Sequence, residues 1–159
     1  MTTYEATAEG VARAEIDIAW DVATLTSPTA FYPRFGPLPA VVGVQGQSGD
    51  WSVVGLVRTL QLSDGSSVVE RLTTVDRPAR FAYELTDFTK LFGPLVHHAN
   101  ADWRFVDMAG GTGIRWTYSF TARPGAGAIV GAIVRVFWAP YMRRVLPGIL
   151  AEAERQNAG

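Results

Sequence analysis

The sequence predicts an α+β fold in which a bent antiparallel sheet of seven strands wraps around one long C-terminal helix. Three observations predict this class. Two short helical segments follow a first strand, six later segments alternate apolar and polar residues between tight turns, and a long apolar helical segment comes last. A sheet that grips one helix leaves space for a pocket between them. With 159 residues, the chain is interpreted as one domain over residues 1–159.

The N-terminal part of the chain is predicted to form a strand and two short helices. The strand covers Thr3–Val11, and the first helix covers Glu15–Thr24, where apolar residues recur at helical spacing. The second helix begins at Ser27–Pro28, because proline suits a first helical position. It runs through Phe31 and Tyr32 and ends at the prolines that follow.

The segment Leu56–Leu72 is predicted to form a β-hairpin whose register follows from its turn. A type I turn closed by a left-handed glycine is a common three-residue loop, and Ser63–Gly65 fit it. This turn places Arg58 opposite Glu70 on the apolar face. A two-residue turn would instead place Arg58 against Arg71, and like charges in opposite positions are destabilising. An ion pair on the apolar face is either structural or the polar floor of a cavity.

The other predicted elements complete a meander and end in the long helix. They are the strands Val41–Gln47, Trp51–Leu62, Ser66–Val75, Arg80–Thr86, Leu95–Val106 and Ile114–Ala122 and the helix Gly127–Arg155. Turns are expected at Ser48–Asp50, Asp76–Ala79 and Gly110–Gly113. Pro140 is expected to kink the helix, and Pro147 to disturb it again.

Strand alternation predicts which side chains point toward the helix. In Leu95–Val106 the inward face is expected to carry Leu95, His97, Ala99, Ala101, Trp103 and Phe105, with His98 pointing outward. In Ile114–Ala122 the aromatic residues Trp116, Tyr118 and Phe120 point inward, and Tyr83 joins them from its own strand. Ala99 and Ala101 are expected to leave volume beside Trp103.

Composition excludes several classes of function. There are no cysteines, so disulfides, thiolate chemistry and cysteine-ligated metals are absent. Adjacent histidines on a strand point to opposite faces and cannot bind one metal ion together, so no metal site is expected. No cofactor is expected either. The chain has fourteen basic and fifteen acidic residues and no basic cluster, so the sequence indicates no surface for binding nucleic acid. No signal peptide is recognised, so a cytoplasmic location is expected.

The segment Gly125–Met142 approaches the length of a transmembrane helix but contains Arg135, three glycines and Pro140. These residues argue against a membrane span. A helix that is apolar nearly all round is more often buried on several sides. An outer strip of this helix could still contact a partner, a membrane surface or a second copy in a homodimer.

The order of these residues resembles the SRPBCC superfamily, which includes START lipid-binding domains, the birch-pollen-allergen group and polyketide cyclase/dehydratase-like proteins. The resemblance covers nearly the whole chain and is closest to the polyketide cyclase/dehydratase-like branch. It rests on Ala19–Val22, Gly55, Arg58, Asp64–Gly65, Glu70–Leu72, Asp76–Pro78, Tyr83, Gly111–Thr112 and the long final helix. The resemblance implies the helix-grip fold and a hydrophobic cavity. It carries over no catalytic motif.

The candidate site combines apolar walls with a few polar groups. His97 is a candidate general acid/base, since imidazole titrates near neutrality, or else a histidine of the cavity wall. Arg58 is a candidate for stabilising a ligand oxyanion while Glu70 orients it, or else half of a structural pair. The full set of candidate ligand-binding residues is Phe31, Tyr32, Arg58, Glu70, Tyr83, His97, Trp103, Trp116, Tyr118, Phe137 and Tyr141.

Three functions remain open from sequence. The first is binding of a hydrophobic or aromatic small molecule, with polyketide cyclase-like chemistry in which the cavity folds a reactive chain. The second is a lipid or isoprenoid carrier without chemistry. The third is an interaction protein that dimerises through its apolar helix.

Overall fold

The computed structural model describes all residues 1–159. Seven antiparallel strands form one sheet in the order β1-β7-β6-β5-β4-β3-β2. The strands are β1 Thr3–Ala12, β2 Val41–Gln45, β3 Val57–Leu62, β4 Ser67–Asp76, β5 Arg80–Thr86, β6 Val96–Met108 and β7 Gly111–Ala122. Each strand from β2 to β7 pairs with the next one along the chain, and β1 lies at the edge of the sheet beside β7. The predicted seven-stranded antiparallel sheet is confirmed.

Helices fill the concave side of this sheet. Helix α1 covers Ile16–Leu25, and a short 3₁₀ turn at Pro28–Ala30 follows it, as the sequence predicts. A second 3₁₀ turn at Lys90–Phe92 joins β5 to β6. The C-terminal helix runs from Gly127 to Ala158 as α2, a π-helical segment and α3. None of these helices combines the length and hydropathy needed to cross a lipid bilayer.

Small residues on β1 let the C-terminal helix approach the sheet closely. Ala6, Ala8 and Ala12 alternate on the buried face of β1, and Gly10 continues the same row. A Cβ atom added to Gly10 would lie 2.6 Å from Leu150 Cδ1 of the helix. A larger side chain at Gly10 would therefore require the Leu150 side chain or the helix itself to shift.

The C-terminal helix widens in its middle instead of breaking. It comprises α2 Gly127–Ile133, the π-helical segment Val134–Trp138 and α3 Ala139–Ala158. The N–H of Ala139 donates to the carbonyl of Val134, five residues earlier. Pro140, the next residue, has no N–H to donate, so the wider turn lies where the α-helical pattern would lose a hydrogen bond anyway. Pro147 lies inside α3, which continues through it.

The hairpin between β3 and β4 has the predicted register. Arg58 pairs with Glu70, Val57 with Arg71, and Leu60 with Val68. The turn is closed by the N–H of Gly65, which donates to the Leu62 carbonyl at 3.0 Å. Gly65 has a φ of +82°, the left-handed conformation that this loop requires.

The predicted start of β3 is wrong. The sequence alternates from Trp51 onward, but the strand begins at Val57 and residues 46–56 form a loop. Gly46, Gly49 and Gly55 in this loop have φ values of +76°, +77° and +93°. An extended strand cannot contain these conformations, so the chain folds back and buries the Trp51 side chain.

The turn between β6 and β7 is also shorter than predicted. Met108 pairs with Gly111, so the connection consists of Ala109 and Gly110, and β7 begins three residues before the predicted Ile114. Gly111 lies against the end of β1, where an added Cβ would overlap the carbonyl oxygen of Ala12. Backbone atoms cannot move aside cheaply, so this position requires glycine.

Two glycine-to-alanine substitutions should have opposite effects on stability. Gly111→Ala should lower the free energy of unfolding by more than about 1 kcal/mol because of the backbone overlap. Gly148 lies in α3 with no atom near an added Cβ. Gly148→Ala should therefore raise stability by about 0.5–1 kcal/mol through helix propensity. Urea denaturation of both variants tests this, and equal effects at the two sites would contradict it.

Candidate functional site

A cavity lies between the sheet and the C-terminal helix. It offers about 130 Å³ to the centres of water-sized molecules. This is roughly ten times the space that one buried water needs, so the cavity can hold a small organic molecule. Twenty-two of the 28 residues that line it are hydrophobic. Half-buried residues of the lining, among them Phe31, Phe88, Phe92 and Ile133, mark where it approaches the surface.

Arg58 and Glu70 are the only charged residues that line the cavity. Arg58 is 7% exposed to solvent and Glu70 is 3% exposed. Arg58 Nε donates a hydrogen bond of 2.7 Å to Glu70 Oε1. Burial raises the pKa of the Glu70 carboxyl, although the charge and the hydrogen bond of Arg58 oppose this rise.

Two residues of the loop before β3 hold the Arg58 guanidinium from its other side. Gln47 Oε1 accepts a hydrogen bond of 3.0 Å from Arg58 Nη1. The Arg58 Cζ lies 4.1 Å from the centre of the Trp51 ring, a cation–π distance. Trp51 itself is 2% exposed and lines the cavity. The guanidinium is thus fixed by three protein groups, which leaves Nη2 free of protein hydrogen bonds.

Three tyrosines extend the polar part of the cavity. Tyr32, Tyr83 and Tyr118 all line it. Burial is the largest cause that raises the pKa of each hydroxyl above 10.0, and the charge of Glu70 raises each of them further. The three hydroxyl groups therefore stay protonated at neutral pH and can donate hydrogen bonds to a ligand oxygen.

Tyr141 closes the cavity from the C-terminal helix. Its hydroxyl donates a hydrogen bond of 2.8 Å to the carbonyl of Pro33, and burial raises the pKa of this hydroxyl. Its ring lies 5.7 Å from the ring of Phe35 and 5.4 Å from that of Trp138. The loop after the 3₁₀ turn is thereby fastened to the helix over the cavity.

The structure divides the eleven candidate ligand-binding residues into two groups. Seven candidates line the cavity, namely Phe31, Tyr32, Arg58, Glu70, Tyr83, Tyr118 and Tyr141. Four others do not, namely His97, Trp103, Trp116 and Phe137. Phe137 lies against Gly36, where an added Cβ would be 3.3 Å from its ring.

The expectation that His97 faces the cavity is wrong. The pairing of β6 with β7 shifts register between Val96 and His98, so Val96 is buried and His97 is exposed. Alternation is regular again from Ala99 onward, as predicted. The irregularity also brings the two histidines together, with 2.8 Å between their Nδ1 atoms, instead of placing them on opposite faces.

Trp103 and Trp116 are packed core residues and not cavity walls. Their rings stack with centroids 4.6 Å apart and an angle of 16°. Trp20 of α1 covers this region and lies 5.2 Å from Phe105. Ala99 and Ala101 are also fully packed, so the volume expected beside Trp103 is filled.

Sequence reasoning missed several residues of the lining. Trp51 lines the cavity and Gln47 bonds Arg58 beside it, but both are predicted to lie in strands, although the glycines around them indicate a loop. Phe88 and Phe92 flank a short 3₁₀ turn, and Trp138 lies in the π-helical segment. No sequence pattern marks these three as cavity residues, because their placement depends on the path of irregular segments. Residues 1–159 contain no cluster of three His, Cys, Asp or Glu side chains that could hold a metal ion.

A bent sheet that grips a C-terminal helix over an apolar cavity defines a helix-grip protein. The sequence model of the family described as "Polyketide cyclase / dehydrase and lipid transport" matches residues 3–154. The chain belongs to this family, within the SRPBCC superfamily. No protein of curated function matches it significantly by sequence.

Solved structures confirm the fold. The Zhui aromatase/cyclase from Streptomyces sp. R1128 superposes with a TM-score of 0.70 at 19% identity, covering 98% of this chain and 96% of that one. Major latex-like protein 151 from Panax ginseng gives 0.65 at 14% identity, and Ara h 8.0201 gives 0.61 at 12% identity. Each covers 99% of both chains. Identities this low establish the shared architecture alone.

The buried carboxyl should make stability depend on pH. A raised pKa means that the folded state holds the Glu70 proton more tightly than the unfolded state does. The stability gained from this tighter proton binding is fully present below the ordinary glutamate pKa of 4.5. It is lost as the pH rises through the pKa of Glu70 in the folded state. The free energy of unfolding, measured relative to Glu70→Gln, should therefore fall as pH increases above 4.5. Urea titrations across this range test it, and a relative stability that increases with pH would contradict it.

Replacing His97 should leave the cavity unaffected. The side chain is exposed and lines no part of the cavity. The His97→Ala variant should bind any cavity ligand with the affinity of the native protein, within about twofold. Titration of both proteins with one fluorescent ligand measures this. A tenfold loss would show that His97 reaches the cavity in solution.

Proposed function

We propose that the cavity binds a hydrophobic, ring-containing small molecule and holds one oxygen-bearing group of it at Arg58. The proposal rests on the small number of polar groups in the mostly apolar lining of the cavity. One buried ion pair and three protonated tyrosines lie within a wall that is mostly apolar. Apolar walls supply affinity, and a few converging polar groups fix the orientation of a ligand.

The polar groups favour a ligand with oxygen acceptors. Arg58 Nη2 and the hydroxyls of Tyr32, Tyr83 and Tyr118 offer hydrogen atoms, whereas Glu70 offers a carboxylate oxygen that Arg58 does not bond. Donors thus outnumber acceptors. A carboxylate, an enolate or a pair of carbonyl groups would match this arrangement better than an amine.

A more specific version of this proposal is that the protein catalyses ring closure of the bound molecule. An aldol cyclisation needs a base that removes a proton from a carbon next to a carbonyl and a donor for the developing alkoxide oxygen. Glu70 is a candidate for the base because its pKa is raised. Arg58 or a tyrosine would donate to the alkoxide. His97, which is exposed, has no part in it.

Transport of a lipid or isoprenoid without chemistry remains the alternative. The same apolar wall suits an acyl or prenyl chain. Native mass spectrometry of the purified protein separates the two functions. A stoichiometric lipid favours the carrier. Acceleration of poly-β-ketone cyclisation that Glu70→Gln abolishes, in a variant that still folds, favours the enzyme.

The role of Arg58 can be tested with a matched pair of ligands. We expect Arg58→Met to weaken binding of 2-naphthoate by at least about tenfold, because a hydrogen bond to a charged group is lost. Binding of 2-ethylnaphthalene, which has no carboxylate, should change by less than about twofold. Calorimetric titration or quenching of tryptophan fluorescence measures both affinities.

Two further variants control for folding and for surface charge. Arg58→Met leaves Glu70 buried and unpaired, so the double variant Arg58→Met, Glu70→Leu replaces the whole pair with apolar groups. Arg80→Met removes a matched arginine that donates to Asp102 on the outer face of the sheet. The proposal fails if Arg80→Met weakens 2-naphthoate binding as much as Arg58→Met does, or if neither ligand binds the native protein.

A further inference from the structure

Acidic residues are absent from two long segments of the chain. No Asp or Glu occurs between Asp21 and Asp50 or between Asp107 and Glu152. The whole chain carries 15 acidic and 14 basic residues, so its net charge is close to zero. The acidic residues are therefore concentrated elsewhere, and any surface built from these two segments can carry only positive charge.

The two segments pack against each other. Tyr141 of α3 donates its hydrogen bond to the carbonyl of Pro33, and its ring contacts Phe35. The guanidinium carbon of Arg144 lies 5.9 Å from the centre of the Phe35 ring. The loop that carries Arg34 thus lies beside the C-terminal helix, and the two form one continuous surface.

The exposed side of the helix combines aliphatic and basic side chains. Ile129 and Val136 are 53% and 52% exposed, and their spacing of seven residues places them on one side. Arg135, Arg143 and Arg144 of the same helix are also exposed. Together with Arg34 of the adjacent loop, these residues make up a surface that we call the arginine face.

The arginines of this face have no carboxylate partners. Arg34, Arg135, Arg143 and Arg144 form no ion pair, and no acidic residue belongs to the face. The outer face of the sheet differs. There Arg80 and Arg104 pair with Asp102, and Arg115 pairs with Glu9. The arginines named on the sheet therefore have carboxylate partners, whereas those of the arginine face have none.

We propose that the arginine face docks onto an anionic lipid bilayer. Unpaired guanidinium groups attract lipid phosphates, and exposed aliphatic side chains enter the boundary between headgroups and acyl chains. Each basic residue near an anionic membrane contributes to this attraction, so the arginines reinforce one another. An acidic protein would offer the same charge. However, exposed Ile129 and Val136 beside the arginines suit the boundary between headgroups and acyl chains, which favours a bilayer.

Docking would bring the bilayer close to the cavity. The opposite side of the same helix lines the cavity through Val130, Val134, Trp138 and Tyr141. One helix would then separate the lipid from the bound molecule, and that helix contains the π-helical segment Val134–Trp138. The proposal concerns the outer surface alone and does not depend on which molecule the cavity binds.

Vesicle co-sedimentation with the full chain tests the proposal. We expect binding to phosphatidylcholine vesicles that contain about 30% phosphatidylglycerol, and weak binding to phosphatidylcholine alone. The affinity should fall as salt is added, because screening weakens the attraction. The triple variant Arg135→Gln, Arg143→Gln, Arg144→Gln should bind the anionic vesicles at least about tenfold more weakly.

A second triple variant provides the matched control. Arg80→Gln, Arg104→Gln, Arg115→Gln removes the same charge from the outer face of the sheet and should reduce binding by less than about threefold. Circular dichroism of both variants confirms that they are folded. Equal losses in the two variants would overturn the proposal, because the effect would then follow from net charge.

The aliphatic residues allow an independent test. Ile129→Ser with Val136→Ser keeps the charge and should weaken vesicle binding by at least about fivefold, most visibly at high salt. No binding of the native protein to anionic vesicles would overturn the proposal. Binding to soluble poly-glutamate without binding to vesicles would also overturn it and would assign the face to an acidic protein.

Discussion

Two ionised side chains in an apolar cavity are stable only if each neutralises and hydrogen-bonds the other. Arg58 and Glu70 meet this condition because β3 and β4 place them directly opposite each other. The pair also determines the chemistry around it. The charge of Glu70 raises the pKa of three of the cavity tyrosines beyond the effect of burial, so their hydroxyls remain hydrogen-bond donors. The Arg58 guanidinium contacts Gln47 and Trp51 and thereby orders the loop before β3. Without this pair, the cavity would have apolar walls and four tyrosine hydroxyls but no charged anchor.

Sequence reasoning succeeded where local geometry decides the outcome. The register of the β3–β4 hairpin follows from one turn and from the cost of opposing Arg58 and Arg71, and both are readable in a short segment. The side-chain alternation of β7 follows from its aromatic pattern in the same way. His97 shows the limit of this reasoning. Its orientation depends on a register shift against β7, and a distant strand controls that shift.

The division between packed core and open cavity was not predictable from the inward aromatic residues. Trp116 and Tyr118 are neighbours on the same face of β7, yet Trp116 is packed and Tyr118 borders the cavity. Trp116 packs against the rings of Trp103 and Tyr32. Trp20 of α1 fills the adjacent space near Phe105, so this end is closed. At the other end, a loop and the wide turn of the C-terminal helix cover the sheet and leave space. Which aromatic side chain borders a void therefore depends on tertiary packing, which strand alternation does not encode.

The nearly continuous apolar character of the C-terminal helix has two separate causes. On its inner side, Val130 and Val134 must be apolar to pack against the sheet and to line the cavity. On its outer side, Ile129 and Val136 are about half exposed to water, at positions where polar residues are common. A surface helix of a globular protein normally carries charged residues of both signs there. Apart from the contact of Arg144 with Phe35, no ion pair or packing within the chain accounts for this outer surface, and the proposed docking onto a bilayer would account for it.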